Sequence, residues 1–468
     1  MKDSKKISRR KFMGQASCAA VGTLSLYSSV FNLGMANALA TPNQDDDYKA
    51  LVCVLLAGGN DSFNMLAPTN GHFYNDYKNT RANLALANNQ LRKINFRDND
   101  GRQFGLHPAM SDIQKLFNDK KIAMISNVGT LVEPITKSDY LNRSKRLPLG
   151  LLSHADQVMH WQTSMPHSRS ARGWAGRIAD IMNTQNENDR ISMNISLSGS
   201  NIFQAGNKTH QYAIRSSERN GSVGIAPFES GEWYDKPLRK GIDSLLSQQY
   251  GNVFKQTFAQ KTKTAHDNHE EFSQALEENG RISTNFGDSQ FEQDMKMVAR
   301  TVAARKKLGM KRQVFFVLYG GWDHHDNVLA SQQEMLSTVS KGFGQFDKAM
   351  RELGTDNNVT TFLTSDFGRT LTSNGNGTDH AWGGNVMVMG GAVNGGRVYG
   401  KYPDIKLKSQ FEVGGGIFVP TLSTDEYFAE LSLWFGVAPS ELETILPNLS
   451  NFHNVRSGDL PIGFMKKA

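Results

Sequence analysis

Four uninterrupted apolar segments constrain the fold of this chain more than any other feature. A short apolar run without polar alternation is typical of a strand that is buried on both faces of a parallel sheet. Such runs occupy residues 48–56, 313–319, 358–364 and 385–389. Because helical segments separate most of these strands, the order of elements predicts an α/β fold. We expect a doubly wound, largely parallel sheet with helices on both faces.

Capping residues locate the starts of several helices. Ser289 and Ser423 are each followed three residues later by a glutamate, which is the sequence of a capping box. Ser153 is followed three residues later by an aspartate, a weaker form of the same signal. Apolar periodicity predicts further helices over residues 111–120 and 329–353.

The basic charge of the chain is concentrated at its N-terminus. The chain contains 52 Lys and Arg residues and 45 Asp and Glu residues. Six of the basic residues and one of the acidic residues lie within residues 1–40, so the remainder contains 46 basic and 44 acidic residues. A body this close to neutral gives no general basis for binding a phosphate backbone. A nucleic-acid partner is therefore not expected.

Residues 1–40 have the pattern of a twin-arginine signal peptide. The sequence SRRKFM begins at Ser8, a modestly apolar stretch follows over about 16–35, and small residues suitable for cleavage come next. The pattern predicts a periplasmic or secreted protein whose mature chain starts near Thr41. The mature chain has no apolar run long enough to span a membrane. It contains one cysteine, Cys53, so no intramolecular disulfide is expected.

Residues 41–468 are expected to form a single domain that carries a polar insertion. The segment from about 206 to 285 is rich in Lys, Gln, Asn, Ser and His and poor in apolar residues. Such a composition offers little apolar surface for a core of its own. We interpret the segment as a surface insertion with helices.

Acidic and imidazole side chains gather at the ends of the predicted strands, where ligands of doubly wound sheets bind. They are Asp61 after the first strand, Asp323 and His325 after the second, Asp366 after the third, and Asp379 and His380 just before the fourth. Each aspartate could instead cap a helix. Packed carboxylates repel one another unless a cation or an arginine offsets them, so the pattern predicts a divalent metal site. Mixed Asp and His ligands favour Zn, Mn or Fe over Mg or Ca.

Within the loop after the second strand, alternate side chains should face opposite ways. In extended backbone, Asp323 and His325 lie on one side, and His324 and Asp326 lie on the other. We therefore expect the first pair to take part in the site rather than the second.

Two serines compete as a nucleophile. Ser153 lies at a predicted helix start, where the helix dipole favours a developing anion, and Ser62 follows the first strand. A serine at a helix start is also a common N-cap. Arg369 could hold an anionic oxygen bidentately, or it could neutralise Asp366. No GxSxG sequence surrounds either serine, which disfavours an α/β-hydrolase triad.

Eight stretches, in order from about Lys49 to Gly436, resemble a known family. They are LVCVLLAGGNDSFNML, LHPAM, SHADQVMHWQTS, RGWAGR, FFVLYGGWDHHDN, LTSDFGRT, GTDHAWGGNVMVMGGAVNGGRVYG and VPTLSTDEYFAELSLWFG. Together they resemble the exported proteins of the domain of unknown function 1501 family. That family is placed in the alkaline phosphatase and sulfatase superfamily. The resemblance implies an alkaline phosphatase-like sheet with metal ligands at the strand ends.

The resemblance also implies roles for individual residues. Asp61 resembles the superfamily's aspartate after the first strand, and Ser153 lies where its nucleophile falls. Asp366, in LTSDFG, resembles the aspartate of its Thr-Ser-Asp-His-Gly motif. His380 resembles its final histidine ligand.

The sequence departs from the superfamily pattern at two places. Asp323 and His325 resemble its late Asp and His pair, but they are two residues apart where alkaline phosphatases have four. Phe367 replaces the histidine of the motif, and the pair formed by Asp379 and His380 can supply it from the next loop. These departures favour one metal site, or none, over two.

The leading hypothesis is an exported metal-dependent hydrolase of phosphate or sulfate esters, with a small-molecule or polysaccharide ester as its substrate. The superfamily activity is an analogy at the level of the fold. The alternative is a non-catalytic periplasmic protein that binds or assembles with an envelope partner through the insertion. A carrier that holds metal without turnover is a third hypothesis.

Overall fold

The four apolar segments form four adjacent strands of one sheet in a computed structural model of the protein. The structure describes residues 47–216 and 233–466. The described residues from Tyr48 onward form one compact unit. The predicted signal peptide lies outside the described residues.

Among the described strands, nine form this large sheet and three form a small antiparallel one. In chain order they are β1 (Lys49–Ala57), β2 (Leu66–Pro68), β3 (Arg92–Arg97), β4 (Gln103–Leu106), β5 (Ile122–Gly129), β6 (Asn194–Ser196), β7 (Tyr212–Ala213), β8 (Arg312–Gly320), β9 (Val359–Ser365), β10 (Gly384–Met389), β11 (Arg397–Tyr399) and β12 (Leu422–Ser423). The large sheet has the order β11-β5-β10-β9-β1-β8-β6-β7, with β12 also paired to β5. The small sheet has the order β2-β4-β3.

The large sheet is mostly parallel, and β10 is its antiparallel strand. β1 pairs in parallel with both β8 and β9, whereas β10 is antiparallel to β9 and to β5. No helix separates β9 from β10, so the chain does not cross back and enters β10 at the edge where β9 ended. The loop that carries Asp379 and His380 therefore lies at the carboxyl edge of β9.

Helices cover both faces of the sheet. They are α1 (Ser62–Met65), α2 (Gly71–Arg81), α3 (Ser111–Asn118), α4 (Lys137–Asn142), α5 (His154–Thr163), α6 (Trp174–Met182), α7 (Asp235–Leu246), α8 (Val253–Asn279), α9 (Gln290–Ala303), α10 (Val328–Glu352), α11 (Thr424–Phe435) and α12 (Leu442–Ile445). None of the helices in the described ranges has both the length and the apolar character needed to cross a membrane.

The side chains of β1 divide the core into two layers. Alternate residues from Val52 to Leu56 pack on one face with α3, α9 and α10. Alternate residues from Leu51 to Leu55 pack on the other face with α6 and α11. Burial on both faces explains why this strand is apolar throughout.

The insertion predicted at about 206–285 contains α7 and α8, while residues 217–232 lie outside the described ranges. The two helices lie side by side, joined by an ion pair between Arg239 and Glu270. The C-terminal half of α8 is anchored, because Phe272 is buried in the core. Most of its N-terminal half is exposed.

Candidate metal centre

A tight turn after β1 brings the loops at the carboxyl edge of the sheet together. Gly58 has a φ of +122°, and a Cβ atom at this position would lie 2.5 Å from the backbone nitrogen of Asp323. Only glycine tolerates both conditions. The Trp322 N–H donates to the carbonyl of Ala57 at 3.1 Å. The loop after β8 is thereby held against the end of β1.

Three imidazole nitrogens and one carboxylate converge at this edge. The Nε2 atom of His380 lies 2.9 Å from Nε2 of His154 and 3.0 Å from Nε2 of His325. Oδ1 of Asp323 lies 3.0 Å from His325 Nε2 and 3.4 Å from His380 Nε2. Its Oδ2 lies 3.3 Å from His154 Nε2. We call these four side chains the four-donor cluster.

The other ring nitrogen of each imidazole faces an oxygen atom. The pairs are His154 Nδ1 with Asp366 Oδ2 at 2.7 Å, His380 Nδ1 with the Leu152 carbonyl at 2.9 Å, and His325 Nδ1 with Asp379 Oδ1 at 3.1 Å. A carbonyl or an ionised carboxylate accepts hydrogen bonds and cannot donate them. We therefore assign the proton to each Nδ1. Each Nε2 then presents a lone pair to the centre of the four-donor cluster.

Arg369 holds Asp323 in place. Its Nη1 donates to Asp323 Oδ1 at 2.6 Å, and its Nε donates to the Thr378 hydroxyl at 3.2 Å. Partial burial opposes ionisation of Asp323, but the hydrogen bond and charge of Arg369 outweigh it and lower the pKa of Asp323. The guanidinium is buried and engaged by these partners. The sequence left open whether Arg369 holds an anionic oxygen or neutralises Asp366, and in the structure its carboxylate partner is Asp323.

Asp366 and Asp379 lie behind the imidazoles. Asp366 Oδ1 accepts from the Gly58 N–H at 3.0 Å, and burial raises the pKa of Asp366. A hydrogen bond from the Asn374 amide, at 3.1 Å, lowers the pKa of Asp379. Burial lowers the pKa of His380. The sequence predicts both aspartates as metal ligands, whereas the structure places them one step outside the four-donor cluster.

Ser153 is the N-cap of α5 and adjoins the four-donor cluster in the chain. Its Oγ accepts from the Asp156 N–H at 3.5 Å, as the capping signal predicts. The next residue is His154, and the preceding one is Leu152, whose carbonyl binds His380. Leu152 has a φ of +72°, which is uncommon for a bulky side chain and occurs mainly in turns and at functional sites.

Asp61 and Ser62 lie in the interior and not among the converging atoms. The Asp61 carboxylate forms a buried ion pair with Arg81 of α2, which also donates to the Thr370 carbonyl at 3.0 Å. Ser62 is buried, and its Oγ accepts from the Asn385 N–H at 2.8 Å. The negative charge of Asp61 is therefore offset by a guanidinium, which the sequence pattern did not indicate.

The loop after β8 shows the expected alternation, with Asp323 and His325 on one side and His324 buried beside Trp322 on the other. His154 is the residue that sequence reasoning missed. Its position in the first turn of a helix, directly after the capping residue Ser153, is the sequence signal that could have indicated it. The structure thus adds one imidazole to Asp323, His325 and His380.

These features define an α/β protein with a cluster of histidine and carboxylate side chains at the carboxyl edge of a mostly parallel sheet. The family model described as "Protein of unknown function (DUF1501)" matches residues 48–414, and the chain belongs to this family. The resemblance to the domain of unknown function 1501 family is thereby confirmed. The matched residues include all members of the four-donor cluster.

No curated protein matches the chain in sequence. Two solved structures similar to it are described as "Crystal structure of Ps i-CgsB in complex with k-i-k-neocarrahexaose" and "Crystal structure of Ps i-CgsB". They are 11% and 10% identical to this chain, and each comparison covers 86% of this chain and 78% of the other with a TM-score of 0.36. At this TM-score the likeness supports no conclusion about fold or activity.

Proposed function

We propose that the four-donor cluster binds one divalent transition metal. The supporting observation is the position of His380 Nε2, which lies within hydrogen-bonding distance of the Nε2 atoms of both His154 and His325. One lone pair accepts one hydrogen bond well, so protons alone do not satisfy both contacts. A cation among these atoms would be bound by the lone pairs of His154 and His380 and by the Asp323 carboxylate, whose ligand atoms lie within 4.8 Å of one another. His325 adjoins this group, because its Nε2 lies 3.0 Å from His380 Nε2.

The donor set fits zinc best. Imidazole and carboxylate side chains are typical zinc ligands, and Mn and Fe accept the same mixture, whereas Mg and Ca prefer oxygen. Asp366 and Asp379 would fix the ring orientations through Nδ1, as carboxylates do in many zinc sites. Asp61 is engaged by Arg81. We therefore propose one metal rather than two.

We further propose that the protein is an exported hydrolase of phosphate or sulfate esters with an alkaline phosphatase-like fold. A bound divalent metal would supply Lewis acidity that offsets the negative charge of such an ester. Ser153 is the proposed nucleophile, because the N-terminus of α5 favours a developing negative charge on its Oγ. Arg369 acts as a positioning residue that holds Asp323. The twin-arginine pattern in residues 1–40 supports export.

The test compares alanine substitutions of two serines, each of which caps a helix. Ser153→Ala removes the cap of α5 and the proposed nucleophile. Ser289→Ala removes the cap of α9, where Ser289 accepts from the Glu292 N–H at 3.3 Å, and leaves the four-donor cluster untouched. Each variant should lose about 1 kcal/mol of stability.

The metal-loaded mature protein is assayed on aryl phosphate and aryl sulfate esters. We expect Ser153→Ala to lose about 10³-fold or more in kcat, and Ser289→Ala to retain the wild-type rate. Equal rates in the two variants would exclude Ser153 as the nucleophile.

A non-catalytic binding or assembly protein is the second candidate function. It is favoured by Phe367, which stands where the superfamily resemblance implies a histidine. The Phe367 ring lies 4.8 Å from the rings of His154 and His380, so an apolar group packs directly against the imidazoles. Wild-type protein with stoichiometric metal and no activity on either ester class would support this candidate.

A further inference from the structure

The helical insertion ends in an exposed apolar tip, which we define as residues 245–258. The tip consists of the end of α7, the start of α8 and the loop between them. Leu245 is 56% exposed, Phe254 is 86% exposed and Phe258 is 72% exposed. These side chains line a groove of about 610 Å³ together with Ile242, Leu246, Tyr250 and neighbouring residues. Contiguous apolar surface of this kind usually marks an interaction site.

The chain around the tip is basic. No acidic residue lies between Asp243 and Asp267, whereas three lysines do. Lys263 forms an ion pair with Asp267 at 3.1 Å. Lys255 and Lys261 are exposed, and neither forms an ion pair with another residue of the described ranges. The tip and the first residues of α8 beyond it therefore carry uncompensated positive charge.

The lysines and the aromatic rings are ordered along α8. Lys261 follows Phe258 by three residues and Phe254 by seven, so the three side chains share one face of the helix. At 1.5 Å per residue, Lys261 lies about 10 Å further from the tip than Phe254. Aromatic rings at an end, followed by an ammonium group, are typical of segments that enter a membrane interface, where the lysine reaches the level of the phosphates.

We propose that the tip docks on the surface of an anionic lipid bilayer. The apolar side chains would enter the boundary between headgroups and acyl chains, and Lys255 and Lys261 would face the lipid phosphates. A second copy of this chain is disfavoured as the occupant, because two tips would bring like charges together. Phe272 anchors α8 in the core about 27 Å along the helix from Phe254, which leaves the tip clear of the packed region.

The test is sedimentation of the whole mature protein with vesicles. One set contains phosphatidylglycerol in phosphatidylcholine, and the other contains phosphatidylcholine alone. Three double variants are compared with wild type: Phe254→Ser with Phe258→Ser, Lys255→Gln with Lys261→Gln, and Leu141→Ser with Leu407→Ser. The last pair is the matched control, because it changes exposed leucines outside the insertion. Far-UV circular dichroism verifies that all variants are folded.

We expect wild type and the leucine control to bind anionic vesicles and to bind neutral ones far less. The phenylalanine variant should lose about 30-fold in partition coefficient. The lysine variant should lose about 10-fold or more. Absence of wild-type binding to anionic vesicles, or equal binding by the phenylalanine variant and the control, would overturn the proposal. A wild-type dimer that the phenylalanine variant abolishes, without vesicle binding, would overturn it in favour of a second copy.

Discussion

Replacing Asp366 by asparagine tests how the four-donor cluster is held. Both oxygens of the Asp366 carboxylate have a hydrogen-bonding partner. Oδ2 lies 2.7 Å from His154 Nδ1, and Oδ1 accepts a hydrogen bond from the Gly58 N–H at 3.0 Å. An amide has only one oxygen. If that oxygen stays on Gly58, the amide N–H groups face His154 Nδ1 and favour the tautomer with the proton on Nε2. If it faces His154 instead, the amide N–H groups and the Gly58 N–H are two donors that face each other.

Both arrangements weaken metal binding. A buried donor without an acceptor costs about 1–3 kcal/mol. Loss of a carboxylate behind a metal-binding histidine typically weakens metal affinity about 10- to 100-fold, and we expect this range for Asp366→Asn. Asp379→Asn is the matched control, because it makes the same change behind His325. The Asp379 side chain is 58% exposed, so water can replace the lost interaction and the effect should stay below about 10-fold.

Competition with a zinc-binding dye at neutral pH gives the Kd of each variant. Urea unfolding of the same samples verifies that the substitutions leave the fold intact. Wild-type zinc affinity in Asp366→Asn would refute the role assigned to this carboxylate. A larger loss in Asp379→Asn than in Asp366→Asn would refute the argument from burial.

Four further predictions concern the interior. Arg81→Met leaves the Asp61 carboxylate buried without its cation and should lower the free energy of unfolding by about 3–5 kcal/mol in a urea titration. Asp61→Asn should keep the metal stoichiometry of wild type, and loss of metal would identify Asp61 as a ligand. Gly58→Ala should lower stability by about 1–3 kcal/mol more than Gly101→Ala. A Cβ at Gly101 meets no atom within 4 Å, although the φ of Gly101 is +82°. Equal losses of Tm in the two variants would contradict the close approach of the backbone at Gly58. Burial raises the pKa of Asp425 from 3.8 to about 7, so the native state binds this proton more tightly than the unfolded chain does. The free energy of unfolding should therefore fall as pH rises between these values, and Asp425→Asn should reduce that slope; an unchanged slope would contradict this effect of burial.

The strands could be predicted from the sequence because burial on both faces leaves no room for polar side chains. The run at 313–319 lies within β8, and the run at 358–364 nearly coincides with β9. Capping also depends on neighbouring residues alone, and the capping boxes at Ser289 and Ser423 are both present. The antiparallel direction of β10 was harder to predict from the sequence. It depends on whether the chain between β9 and β10 forms a crossover helix.

The residues of the candidate site that adjoin strand ends could be predicted from the sequence. Asp323, His325 and His380 follow or precede buried strands, and the structure brings them together. Asp61 satisfies the same criterion, but its charge is offset by Arg81, 20 residues later in the chain. Such a pairing depends on tertiary packing and leaves no local pattern. His154 comes from a helix start, which a search confined to strand ends does not cover.

Metal content, measured by mass spectrometry on protein purified without chelators, tests the existence of the metal centre most directly. Wild type is compared with His154→Ala and with His72→Ala, which removes an exposed histidine of α2. We predict about one equivalent of zinc, manganese or iron in wild type and in His72→Ala, and a large loss in His154→Ala. Well-folded wild type without bound metal, or a full equivalent in His154→Ala, would contradict the proposed centre.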